Sequence, residues 1–127
     1  MLPNLTPDTF AALLPSLCKR STGADPAGWT PQNPLWTHCV VVSMLAQDLF
    51  GGTLLRASLV GTPFEAMHSH YWNLLPEGER DFTAAQFLGQ RPTNLEARPI
   101  DRVYMERHPP TMARYRELRR QFERVIG

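Results

Sequence analysis

The chain has 127 residues, enough for one domain with a modest core and too few for two. Its apolar fraction is 43%, that of an ordinary globular protein, and a formal net charge of +1 gives no overall field to gather nucleic acid or an anionic membrane. No apolar run approaches the roughly 18 residues that a bilayer crossing needs.

Residues 1–17 lack the basic start and small-residue cleavage site of a secretory leader. Cys18 and Cys39 could form one disulfide, but nothing else marks the chain as secreted. The reading is a cytoplasmic protein, a single domain over residues 1–127, with two free thiols. Twelve prolines are about twice the usual share, and they fall between the apolar runs, predicting several ordered, non-repetitive loops.

In chain order, Thr6-Pro7 reads as an N-cap followed by proline at the first helical position, with Phe10, Leu13 and Leu14 as the apolar stripe. Pro15 should interrupt or end this helix. "KRSTGADPAGWTPQNP" is a loop, with Trp29 folding back onto the core. A helix capped by Asn33-Pro34 or by Thr37 then runs to about Phe50. It is apolar almost all round, which predicts a central, buried position, and Gly51-Gly52 supplies a left-handed stop. "TLLRASLVG" and "AMHSHYWNLL" read as strands, "PEGE" as a turn and "RDFT" as the returning strand. "DFTAAQF" passes into a short helix or turn, "LGQRPTNLEARP" is loop, and Pro109-Pro110 to Ile126 is an amphipathic helix. Strands that follow a helix and pair as a meander predict an α+β fold: a central buried helix on a small antiparallel sheet, with a C-terminal helix.

Cys39 stands where the central helix begins. A helix start concentrates free N–H groups and the positive end of the dipole, both of which favour the thiolate, and the same N–H groups can hold an oxyanion. A thiolate of this kind works with an imidazole that exchanges its proton. "HSHYWN" offers His68 and His70 on one strand face; His70 opens the apolar part and should lie against the core where the central helix packs, whereas His68 should be exposed. Asp81 on the returning strand is the carboxylate to orient the imidazole, with Asn73 and Glu79 as alternatives. A four-residue loop would pair Leu74 with Asp81 and keep it on the His70 face, diagonally placed. A three-residue loop would pair Asn73 with Asp81 and put it on the wrong face.

The order cysteine on a central helix, then histidine and aspartate on successive strands, resembles the papain-like and transglutaminase-like cysteine enzymes. More narrowly, "NPLWTHC", "QDLFGG", "HYWNLLPEGE", "DFTAAQF" and "TMARYREL", spanning residues 33 to about 118, resemble the YunG-like family of bacterial proteins. The resemblance implies a papain-like or transglutaminase-like core with Cys39, His70 and Asp81 as a catalytic triad. Family members usually carry glutamine before the cysteine, where this chain has His38. Gln32, seven residues before Cys39, resembles the upstream oxyanion glutamine of papain-like enzymes at a different spacing. Trp36, Tyr71 and Trp72 are the aromatics placed to line a substrate cleft, unless they are core, and Gln32, His38 and Asn73 complete the candidates to contact a substrate.

The function expected is acyl transfer on an amide, ester or thioester of a small molecule or peptide, with no cofactor. The alternative is a catalytically inactive binding module that uses the same cleft for a peptide or protein partner. Bland readings stand beside each residue: Cys39 as packing, His70 as a satisfied core histidine, Asp81 as a cap for "TAAQF", Trp36 and Trp72 as core. His38 and His68 read as surface or loop residues. A zinc centre from His38, Cys39, His68 and His70 matches no common ligand spacing. The arginines of the last helix alternate with Glu117 and Glu123 and carry no stacking aromatics, so that face reads as solvated, not as a nucleic-acid site.

Overall fold

The computed structural model describes residues 5–127. Helix α1, Pro7–Leu17, opens with a reciprocal cap: the Thr6 hydroxyl accepts from the Thr9 N–H, and the Thr9 hydroxyl accepts from the Thr6 N–H. Pro15 lies inside the helix and does not end it. With two residues left in the helix, its ring removes only the bond to the Ala11 carbonyl. Phe10, fully buried, meets Phe50, Phe82 and Phe122 edge-on at 5.7, 5.1 and 5.9 Å and joins the ends of three elements. Thr6→Ala is expected to lower the unfolding free energy by about 1 kcal/mol in a urea titration, the usual worth of such a cap.

Between α1 and the next helix the chain makes two 3-10 turns, Arg20–Thr22 and Pro26–Gly28. Trp29 does not reach the core. It is half-buried and pins this loop, its indole N–H donating to the Pro34 carbonyl at 2.9 Å beneath the Arg20 guanidinium. Helix α2, Cys39–Phe50, is central as the sequence predicts, with Cys39 and Val41 through Ala46 all buried. Its N-cap is His38, neither Asn33 nor Thr37, and no side chain caps it. Gly51 and Gly52 have φ of 77° and 82°, and a Cβ on Gly52 would fall 2.2 Å from the Leu74 carbonyl oxygen, so the reversal into the sheet requires glycine.

The sheet holds β1 (Thr53–Ser58), β2 (Ser69–Leu75), β3 (Gly78–Arg80) and β4 (Arg98–Ile100) in the order β3-β2-β1-β4, antiparallel throughout. The sequence reading has loop where β4 lies. On one face, Leu54 joins the main core and the Asn73 side-chain amide donates to the Ser43 carbonyl of α2 at 3.0 Å. On the other, Leu55, Ala57 and Trp72 form a smaller apolar cluster under Leu95.

The β2–β3 hairpin closes through two residues, Pro76 and Glu77, since Leu75 pairs with Gly78 and Asn73 with Arg80. Neither loop length expected from the sequence occurs. Continued by one step, this register sets Asp81 opposite Trp72, on the face that also carries His70.

A short helix α3, Arg102–Glu106, and the long α4, Pro109–Ile126, close the fold. Tyr115, Leu118 and Phe122 of α4 are buried. Asp48 of α2 ties both to the centre: it accepts from Arg102 Nη1 at 2.7 Å, from Arg119 Nη1 at 3.0 Å and from the Tyr115 hydroxyl. The architecture is thus mixed α+β, helices on a small four-stranded antiparallel sheet. Among the described residues no helix is long and apolar enough to cross a membrane.

Candidate active site

The approach to Cys39 is unusual backbone. Thr37, two residues upstream, has φ of 54°, a left-handed conformation that a β-branched residue adopts only when its surroundings compel it. Four bonds do so. The Thr37 N–H donates to Gln86 Oε1 at 2.9 Å, its hydroxyl donates to the Trp36 carbonyl at 2.8 Å and accepts from the Asp25 N–H at 2.9 Å, and its carbonyl accepts from the Ala24 N–H at 3.2 Å. This turn delivers Cys39 as the first residue of α2, where the leading N–H groups have no helical partner. Cys39 is 5% exposed, and that surface opens on a cleft of about 550 Å³ whose walls include Trp36, Phe64, Met67, Tyr71 and Tyr104.

His70 lies behind Cys39, fully buried on β2. It does not face the body of α2, as the sequence reading expects. Strand alternation puts it on the face opposite Asn73, where its ring stacks on Trp72 at 5.4 Å and meets Phe87 edge-on at 4.8 Å. The first residue of α2, Cys39, still acts on the ring. His70 Nε2 is 2.7 Å from Asp81 Oδ2. A carboxylate only accepts, so Nε2 carries the proton and Nδ1 is left as the free position. Nδ1 is buried with no hydrogen-bond partner.

Asp81 is held in turn. Oδ2 accepts from Arg91 Nε at 2.6 Å, and Oδ1 from the Thr83 N–H at 3.1 Å. The carboxylate therefore caps the turn after it and orients His70 at once. Thr83 leads on to Gln86, whose Nε2 donates to the Thr83 hydroxyl at 2.9 Å. Gln86 is almost fully buried and links the turn holding the acid to the turn presenting the thiol.

Burial disfavours a charged His70, but the Asp81 hydrogen bond and the Cys39 thiol outweigh it and raise the imidazole to about 9. Asp81, though burial opposes it, is lowered by His70 and Arg91. Both shifts are stability statements. The share from His70 is complete below its ordinary 6.5 and is lost as pH rises through about 9. The share from Asp81 is present above its ordinary 3.8 and lost as pH falls through its lower folded value. Unfolding free energy is expected to fall between pH 6.5 and 9 in the wild type. A His70→Asn protein followed by urea unfolding should lack that slope.

The other candidates scatter. Trp36 lines the cleft and donates its indole N–H to Asp25 at 3.0 Å. His68, expected exposed, is exposed and lines the cleft too. Gln32, His38, Trp72 and Asn73 do not line it. Gln32 is exposed in the preceding turn. His38 is not a surface residue: it is fully buried between Thr22 Oγ1 at 2.7 Å and the Trp36 carbonyl at 2.8 Å, and burial lowers its pKa and keeps it neutral. Trp72 packs under Arg91 on the far face, and Asn73 holds α2. Cys18 and Cys39 are both free thiols, and burial pushes Cys18 up to about 12, so it is inert. Among the described residues no three histidine, cysteine or acidic side chains gather where a metal could bind. Gln86 and Arg91 are absent from the sequence reading. The only hint of Gln86 is a polar residue inside the apolar "AAQF", and Arg91 gives none.

Fold and site together define a small α+β protein in which a buried histidine of the sheet is paired with an aspartate and acted on by the cysteine that opens the central helix. The chain belongs to the YunG protein family, whose family model matches residues 6–127. No curated protein and no solved structure matches it.

Proposed function

We propose that this protein is a cysteine-dependent acyl-transfer enzyme with a papain-like or transglutaminase-like core, in which Cys39 is the nucleophile, His70 the proton carrier and Asp81 the group that orients it. One observation carries the reading: His70 is tied to Asp81 through Nε2, its buried Nδ1 has no hydrogen-bond partner, and Cys39 is among the groups that raise the ring. An imidazole raised to about 9 is protonated at neutral pH, so Nδ1 then bears a buried N–H. Leaving such a donor unmade costs about 1–3 kcal/mol. A Cys39 thiolate is the acceptor that removes this cost.

In the reaction, the thiolate attacks the carbonyl carbon and the carbonyl π electrons move to oxygen, where the N–H groups at the start of α2 receive them. The oxyanion collapses, the bond to the leaving amine, alcohol or thiol breaks, and His70 Nδ1 gives that group its proton. Water or an amine then adds to the thioester, passing a proton to Nδ1. The thiolate leaves, and the thiolate–imidazolium pair is restored. Asp81 keeps the ring in the tautomer that both transfers need.

The test is acylation by p-nitrophenyl acetate. The expected result is a burst of nitrophenolate stoichiometric with protein and an acetyl group mapped to Cys39, both absent in Cys39→Ser. A burst unchanged in Cys39→Ser, or no acetyl group on Cys39, would favour the inactive binding module, a reading to which the small exposure of Cys39 lends some support.

A further inference from the structure

The cleft beside Cys39 carries a cation that the proposed chemistry does not use. Arg56 lies on β1, paired across the sheet with Tyr71 of β2, and its guanidinium sits 6.0 Å over the Tyr71 ring. Both residues line the same cleft as Cys39. Six other arginines pair with carboxylates, among them Arg91 with Asp81 and both Arg102 and Arg119 with Asp48, and five besides Arg56 form no ion pair among the described residues. Among the described residues Arg56 forms no ion pair. The acid in the cleft wall, Asp25, accepts from the Trp36 indole at 3.0 Å. The acid of the adjoining hollow, Glu96, lies 3.9 Å from Arg98.

The rest of the lining is largely apolar: Val40, Phe64, Met67 and Tyr104 stand around the opening. A volume of about 550 Å³ suits a small molecule or one amino-acid side chain with its flanking groups. A guanidinium presents a planar fork that matches a carboxylate, and apolar neighbours strengthen the contact by displacing water. We propose that this cleft selects acyl donors with an apolar, aromatic-sized body and a free carboxylate, which Arg56 binds. The inference rests on Cys39 being the nucleophile, and adds the class of substrate presented to it.

The experiment compares three alkylating agents on native protein, with modification of Cys39 mapped by peptide mass: iodoacetamide, N-iodoacetyl-phenylalanine and the carboxamide of that compound. Each forms a sulfur–carbon bond and releases iodide, so only the recognition element differs. The free acid is expected to alkylate Cys39 about tenfold faster than its carboxamide, the worth of one charge-assisted contact. Arg56→Gln should abolish this preference and Arg56→Glu reverse it, each read as the ratio of acid to carboxamide rates so that any change in the thiol itself, reported by iodoacetamide, cancels. Equal rates for acid and carboxamide in the wild type would overturn the inference, as would a preference that survives Arg56→Gln and so comes from His70. Those results would leave the nucleophile reading intact, because iodoacetamide still reports on it. Failure of iodoacetamide itself to modify Cys39 would overturn both.

Discussion

Replacing His70 by alanine should slow alkylation of Cys39 roughly 100-fold at about pH 6, where a free thiol is almost wholly protonated. The magnitude follows from the proposed ion pair. With His70 raised to about 9, the ring is an imidazolium at mildly acid and neutral pH, and the proposed pair sets that charge against the Cys39 sulfur. Without the imidazole, only the helix start favours the thiolate, and that effect is worth about 0.3–1 kcal/mol. The wild-type rate should therefore be nearly flat from mildly acid to neutral pH, and the His70→Ala rate should climb with pH. Asp81→Asn should fall between the two: the imidazole remains, but its tautomer and charge are no longer held. Cys18 serves as an internal control, since burial keeps its thiol protonated up to about 12 and it should react only on unfolding.

Gln86→Leu should lower the unfolding free energy by about 2–3 kcal/mol and reduce Cys39 reactivity as well. Leucine, close to glutamine in size, leaves the Thr37 N–H without its 2.9 Å acceptor and the Thr83 hydroxyl without its donor. Thr37 then loses one of the bonds that hold it at a φ of 54°. Relaxation of that turn would shift the start of α2, and with it the sulfur. Gln86→Glu separates the effects, because it keeps an oxygen for Thr37 and should restore most of the reactivity at a lower cost in stability. Urea unfolding and alkylation measured on both variants check this pair of expectations.

The parts legible in sequence were those written in local periodicity. Helix α2 announces itself by apolar residues on every side and two glycines behind it, and α4 by a stripe of Tyr115, Leu118 and Phe122. Cys39 and His70 stood out because each opens such an element. Asp81 was harder, because its position depends on hairpin register. The two-residue loop at Pro76-Glu77 satisfies the same parity as a four-residue loop, which is why the aspartate reaches the histidine although the expected pairing does not occur.

What escaped was non-local. Strand β4 is three residues long with Pro99 in the middle, tolerable only on an edge, and it exists because β1 offers it a partner about 45 residues away. His38 looked like a loop residue until Thr22, 16 residues upstream, closed over it. Gln86 and Arg91 gain their roles from partners 49 and 10 residues distant, and no spacing rule connects them.

The central claim is that His70 is held as an imidazolium at neutral pH by Asp81 and Cys39 together. The most direct measurement is the nitrogen-15 chemical shift of the two His70 ring nitrogens against pH. The account predicts both nitrogens protonated at neutral pH, titrating together near 9, with that midpoint falling in Cys39→Ser. A His70 ring already neutral below pH 6.5, with the same midpoint in Cys39→Ser, would contradict it.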